Sequence, residues 1–256
     1  MPVLTTSVDP SSEAFQANRE AQLTLIGQFT KQLELAAAGG GDAYRARHHK
    51  CGRMLVRERL ELLLDPDSPF LELAKLATWG TGYTVGASVL TGIGVVSGIE
   101  CVVIGHGPTV RGGAMNPYSL RKTLRALEVA RLKRVPLINM VESGGADLPT
   151  QADLFVPAGR IFHEFTELSG LAIPTVALVF GNSTAGGAYV PGMCDYAVLV
   201  DKHAKVFLGA RRWSRWPPAR RPTTRRSAAR RCTRGCPGCR TTSPSTSVTQ
   251  SGWAAR

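Results

Sequence analysis

Three glycine clusters hold the residue types best suited to chemistry: "RGGA" (Arg111, Gly112, Gly113, Ala114), "SGGA" (Ser143, Gly144, Gly145, Ala146) and "AGGA" (Ala185, Gly186, Gly187, Ala188). Glycine permits the φ values of a tight corner. It also bares backbone N–H groups, and a helix that starts at the corner adds a field favouring an anion. Two such corners facing each other would make an oxyanion hole. That suits chemistry through an enolate, in which a carbonyl oxygen gains charge in the transition state. The same glycines could serve close packing alone. For any single cluster packing is the better account; for SGGA and AGGA together the pattern leaves both readings open.

A second candidate is Cys232, Cys236 and Cys239, spaced C-x₃-C-x₂-C among arginines. Three thiolates at this spacing could hold an iron–sulfur cluster, as in radical-SAM enzymes, and the arginines suggest nucleic acid. Such a site should open a barrel of roughly 200 residues, yet 17 residues follow Cys239 (256 less 239). A zinc ribbon needs a fourth ligand, and none follows. No metalloprotease HExxH, P-loop or G-x-S-x-G stands elsewhere. The histidines His48, His49, His106, His163 and His203 lack ligand spacing and read as surface or packing residues. Glu142 and Asp147 flank SGGA and could be site acids, although helix capping also accounts for Asp147. Lys50, Arg57 and Arg59 could meet phosphates; a solvated helix face is the preferred reading.

These corners need strands and helices to hold them. "PLINMV" (residues 136–141) runs into SGGA, and "PTVALVF" (residues 174–180) runs towards AGGA. Helical stretches precede both, at "NPYSLRKTLRALEVARLKR" and near "GRIFHEFTELSGL". Strands are also expected over 196–200 and 206–208. "GIGVVSGIECVVIGHG" (residues 92–107) reads as two strands about a Ser97-Gly98 turn. Asp9-Pro10 reads as the N-cap and first residue of a helix reaching Ala38, stopped by Gly39. "RMLVRERLELLLD" (residues 53–65) reads as an amphipathic helix ended by Pro66. Strand, glycine corner and helix recur, which is an α/β pattern.

Composition sets bounds. Hydrophobic residues make up 43% of 256, enough for a sizeable core. The net charge of +12 suggests a polyanion ligand. However, residues 211–256 hold 12 arginines and no acid, so residues 1–210 carry 19 Lys+Arg (31 less 12) against 19 Asp+Glu. The basic character belongs to the tail, whose only aliphatic residue larger than alanine is Val248. Such a segment buries too little apolar surface to offset its ordering entropy and is expected to be disordered. No signal peptide or membrane span is expected, and singly placed Cys51, Cys101 and Cys194 fit reduced thiols in a cytoplasmic protein.

Several long blocks resemble the carboxyltransferase (β) subunits of biotin-dependent acyl-CoA carboxylases, most nearly the methylcrotonyl-CoA branch. They are "RERLELLLDPDSPFLEL", "TGIGVVSGIECVVIG", "TVRGGAMNP", "VESGGADLPTQADLF" and "FGNSTAGGAYVPGMCDYAVLV". The resemblance is in register from about residue 10 to 209. It implies a crotonase-like α/β fold, with most of the N-terminal carboxyltransferase domain over residues 53–209 after a helical segment, 1–52. It implies carboxyl transfer from carboxybiotin, carried on a biotin carboxylase/biotin carrier α subunit, to an acyl-CoA. Peptide N–H groups of Gly144, Gly145, Ala146, Gly186 and Gly187 would hold the thioester enolate oxygen. Arg111, Gly112, Gly113, Ala114, Ala185 and Ala188 would contact the coenzyme A portion. A homo-oligomer is implied, and neither nucleic acid nor a membrane is expected as a partner. A stand-alone crotonase-like CoA-binding protein is the alternative; a hydratase would want paired glutamates, and only Glu142 is near.

The resemblance stops abruptly after Gly209, where the family continues "GPPLVKMATGEE" and this chain reads "ARRWSRWPPARR". Every Cys and Trp codon begins with TG, so one nucleotide earlier it becomes a Leu, Val or Met codon. Trp213, Trp216, Cys232, Cys236, Cys239 and Trp253 then all fall where the family pattern wants such residues. Residues 210–256 are therefore expected to be out of frame. Without the biotin-side domain, little or no transferase activity is expected of this chain alone.

Overall fold

Residues Leu137–Ser143 are all buried and form β4, at the centre of the sheet in a computed structural model that describes residues 6–208. A strand covered on both faces has to read as a continuous apolar run, as this one does up to Met140-Val141. The chain reaches it through three helices, α1 (Glu13–Ala38), α2 (Asp42–Lys50) and α3 (Val56–Leu63). Strands β1 (Leu71–Glu72), β2 (Val89–Val96) and β3 (Ile99–His106) and helix α4 (Pro117–Lys133) then precede β4. After it come α5 (Gln151–Gly170), β5 (Thr175–Thr184), α6 (Tyr189–Met193), β6 (Tyr196–Leu199) and β7 (Lys205–Phe207).

The strands lie in the order β1-β2-β3-β4-β5-β6, with β7 paired to the far end of β5. β1, β2 and β3 are antiparallel neighbours, whereas β3, β4, β5 and β6 run parallel. One face packs on α4 and α5 through Leu120, Leu127, Leu137, Val141, Phe165 and Leu168. The other packs on α3 through Leu60, Leu63, Val103, Ile138 and Met140.

Local chemistry explains the element ends. The β2–β3 hairpin turns at Ser97 and Gly98, both at positive φ (53° and 77°), as its two-residue turn requires. The Asp65 carboxylate accepts both turn N–H groups at 2.7 Å. Asn116 caps α4: its Oδ1 accepts from the N–H groups of Tyr118 and Ser119, while Ser119 Oγ accepts from the Asn116 N–H.

The sequence expectations differ in detail. Helix α1 starts at Glu13, because Ser12 caps the Phe15 N–H; Asp9 instead accepts from Ser11 in a preceding turn. Helix α2 has no apolar periodicity to announce it. Helix α3 is shorter than expected: it begins where the Glu58 carboxylate takes the Leu55 N–H, and Leu64 is already extended. Helix α5 begins well before Gly159 and carries Pro157 internally. Among the described residues no helix is long and apolar enough to cross a membrane. The arginine-rich segment with Cys232, Cys236 and Cys239, expected to be disordered, lies outside the described residues.

Candidate active site

SGGA sits where β4 ends, and RGGA braces it from behind. Arg111, Gly112 and Gly113 all adopt positive φ (47°, 67° and 71°). This folds the segment so tightly that a Cβ at position 113 would overlap the Glu142 carbonyl oxygen. The Gly144 N–H donates to Gly112 O at 3.0 Å, and the Gly145 N–H to Ser143 Oγ at 3.2 Å. Met115 then bridges the corner, donating to Gly145 O and accepting from the Asp147 N–H, both at 2.8 Å. In such a parallel bridge the residue between the two bonds turns its own N–H and C=O the other way. Ala146 is that residue; it is exposed, and its N–H has no partner among the described residues. Of the three donors expected here, Gly144 and Gly145 are engaged internally and Ala146 is left over.

AGGA forms a short 3₁₀ turn at the end of β5, leading directly into α6. The first N–H groups of a helical turn have no carbonyl one turn back to take them. Gly186, which is exposed, is in that position. Ala185 holds a positive φ of 51°, unusual for a residue with a side chain.

The corners meet. A Cβ on Gly145 would lie 3.3 Å from Thr184 O and 3.7 Å from Ala185 Cβ. A Cβ on Gly187 would lie 3.2 Å from Ser143 Oγ. All three glycine clusters therefore converge. Gly144, Ala146, Ala185 and Gly186 are exposed and carry no side chain larger than a methyl group. A flat thioester could approach such a surface closely.

Charge around the corners is arranged for support. Glu142 is buried, with Oε1 2.8 Å from Arg53 Nη1 and Oε2 2.5 Å from Arg59 Nη2. It is thus shared by two arginines, a structural role that its sequence position did not announce. Arg59 is buried and stacks 4.5 Å from the Phe180 ring, so the solvated-face reading fails for it. Burial pushes its pKa down, against the pull of Glu142. Arg57 makes a bidentate pair with Glu72 at 2.9 Å and is half-buried; Lys50 is exposed. His48 bonds the Met54 carbonyl and Arg59, and burial lowers its pKa. Asp147 caps no N–H with its side chain; it holds Arg111, 3.1 Å away, and accepts from Thr150 Oγ1. Arg111, its side chain 54% exposed, also lies 5.4 Å from the Tyr83 ring.

Sequence reading missed Arg53 and the role of Glu142. A signal was present: an acid inside the apolar run "PLINMVES" has to find a buried cation. Among the described residues no cluster of His, Cys, Asp or Glu could hold a metal ion.

Comparison with known proteins gives the family. The carboxyl transferase domain model matches residues 47–214. The chain is 52% identical over 209 residues to the probable biotin-dependent acyl-coenzyme A carboxylase beta2 subunit of Mycobacterium tuberculosis, covering 80% of this chain and 39% of that one. It is 42% identical over 212 residues to the probable methylcrotonoyl-CoA carboxylase beta chain of Drosophila melanogaster, covering 80% and 37%. The structure superposes on the geranyl-CoA carboxylase beta subunit of P. aeruginosa with a TM-score of 0.73 and 40% identity, over 82% of this chain and 40% of that one. Fold and family match together define a crotonase-like α/β domain of the carboxyltransferase class. The chain belongs to the carboxyl transferase domain family. It spans about two fifths of the length of these relatives.

Proposed function

We propose that this chain is the coenzyme A side of an acyl-CoA carboxyltransferase, with residues 53–209 as its N-terminal domain and residues 1–52 as a helical lead-in. The observation that carries the reading is the close approach of the SGGA and AGGA corners at Gly145 and Thr184. Ala146 and Gly186, with Gly187 beside them, would donate peptide N–H groups to the thioester oxygen as it gains enolate charge. Gly144 and Gly145 would act one step back, holding Ala146 in place. Arg111 would meet the coenzyme A phosphates, and Gly112, Gly113, Ala114, Ala185 and Ala188 would line the approach. Carboxybiotin on a partner α subunit would supply the carboxyl group. No side-chain nucleophile is required of this chain.

A homo-oligomer belongs to the reading, supported by Phe155 and Val156, which are 86% and 83% exposed on α5. A cytoplasmic location is supported by Cys51, Cys101 and Cys194, all free thiols. The out-of-frame reading of residues 210–256 is supported by the family match ending at residue 214.

Calorimetric titration of the purified chain with acetyl-CoA, 3-methylcrotonyl-CoA and free coenzyme A tests the binding role. Saturable binding of at least one thioester, tighter than free coenzyme A, is expected. Little or no acyl-CoA-dependent turnover of carboxybiotin is expected of the chain alone; brisk turnover would overturn the division of labour. Sequencing the gene around codon 210 tests the tail. Stops in the neighbouring frame, or the absence of "GPPLVK" from it, would sink that idea.

A further inference from the structure

Strands β4 and β5 keep a regular parallel register from Leu137↔Thr175 to Val141↔Val179, and then Ser143 pairs with Ser183. Two steps along β4 therefore match four along β5 (143 less 141 against 183 less 179), a bulge over residues 180–182. Bulges bend a strand and re-aim the residues beyond the bend, and they concentrate beside active sites. This one is occupied. The Glu142 side chain enters it so closely that a Cβ on Gly181 would overlap the carboxylate. Next to it, the Phe180 ring lies under the Arg59 guanidinium. Arg59, from α3, and Arg53, from the segment before it, grip the carboxylate from outside the sheet.

We propose that Glu142 is a positioning residue: clamped by Arg53 and Arg59, its carboxylate holds the β5 bulge open and sets how Ser183–Gly187 lies against Ser143–Ala146. Successive side chains of a strand point to opposite faces. On the face opposite Glu142, Ser143 Oγ takes the Gly145 N–H, donates to Gly113 O and abuts Gly187. Any rotation of β4 at residue 142 is therefore passed to both corners.

Two arginines share the one carboxylate, Arg53 at 2.8 Å and Arg59 at 2.5 Å. Buried ion pairs are in general no stronger than well-packed apolar side chains of similar size. The contribution of this one is a fixed geometry for the bulge.

The inference rests on the proposed thioester site, and the test separates the two. The 256-residue chain is loaded with acetyl-CoA or 3-methylcrotonyl-CoA carrying ¹³C at the thioester carbon, and the carbonyl stretch is read by infrared difference spectroscopy. In the parent chain the stretch should fall on binding, as hydrogen bonds polarise the carbonyl. Absence of that fall, or of binding by either thioester, overturns the site and this inference with it. With the parent shift in hand, Glu142→Gln should lose at least half of it while free coenzyme A affinity changes less than about threefold, within ordinary surface-scale effects. Gly181→Ala, which pushes a methyl into the carboxylate, should do the same. Arg53→Gln, at the more exposed partner, should lose a smaller part and serves if Glu142→Gln does not fold. A folded Glu142→Gln or Gly181→Ala chain with the full parental shift overturns the positioning role, as does an unchanged shift in Arg53→Gln should the other two fail to fold.

Discussion

Gly145 and Thr184 face each other across two strand ends: a Cβ on the glycine would stand 3.3 Å from the threonine carbonyl oxygen, at a φ of +92°. SGGA and AGGA thus meet through backbone, with no side chain between them. Gly145→Ala has to bear a left-handed backbone and a close carbonyl together. It should lose about 1–3 kcal/mol of stability, the range for a residue held in a sparsely populated region. Thioester affinity should fall about tenfold. Gly192→Ala is the control, since nothing lies within 4 Å of its Cβ position and no positive φ constrains it. Chemical denaturation and calorimetric titration read both; an unaltered Gly145→Ala chain would remove the corner contact from the account.

Lys122 on α4 is buried, donates to Gly86 O at 3.3 Å, and has its pKa pushed down from 10.5 to about 8, chiefly by burial. Between about pH 8 and 10.5 the unfolded chain holds a proton that the folded chain has released, so this group makes stability rise with pH across that window. Below pH 8 the charge is buried at a net cost. Lys122→Met should therefore stabilise the chain at pH 7 by on the order of 1–3 kcal/mol. Its advantage should shrink as the pH climbs through that window. Urea denaturation of both chains at pH 7, 8.5 and 10 gives the comparison, and a variant less stable than the parent at pH 7 would contradict it.

His106, buried at the end of β3, has its pKa lowered from 6.5 by burial, which outweighs its bond to Met140 O. Above pH 6.5 the ring is neutral in both states. Below it the unfolded chain gains a proton that the folded chain refuses, so stability is lost as pH falls from 6.5 towards the folded value. The slope from one such group is at most about 1.4 kcal/mol per pH unit. His48 adds in the same direction. His106→Asn should flatten the stability curve between pH 6.5 and 5, measured by urea midpoints; equal slopes in the two chains would contradict the assignment.

Phe155 and Val156 sit in adjacent positions of α5 with most of their surface in water. Phe155→Asp/Val156→Asp should leave the melting temperature within about 1–2 °C, since exposed substitutions rarely exceed 0.5 kcal/mol. If these residues mediate self-association, the double variant should sediment as a smaller species at equal concentration. Equal sedimentation of parent and variant would remove this patch from any homo-oligomer.

Much of the fold was legible because local rules point one way. The apolar runs before SGGA and AGGA could only be buried strands, and Ser97-Gly98 between β-branched residues could only turn a hairpin. Helix α2 was not legible, since "DAYRARHHK" has no apolar stripe; nor was the early start of α5, with a proline inside it. The glycine corners stood out because glycine clusters are rare and their consequences local. Glu142 was visible as an acid but not as a structural one, because its partners Arg53 and Arg59 lie more than eighty positions earlier.

The sequence by itself determined the α/β class, the three glycine clusters, the neutral charge balance before residue 211 and the family blocks. These depend on neighbours in the chain and on composition. Only the tertiary structure decided which of the corner N–H groups are bonded within the chain. Gly144 and Gly145 spend their N–H groups on Gly112 and Ser143, and Ala146 is left turned away from Met115. A hydrogen bond is settled by which acceptor arrives in space, and here Gly112 O, from a segment before α4, takes the Gly144 N–H.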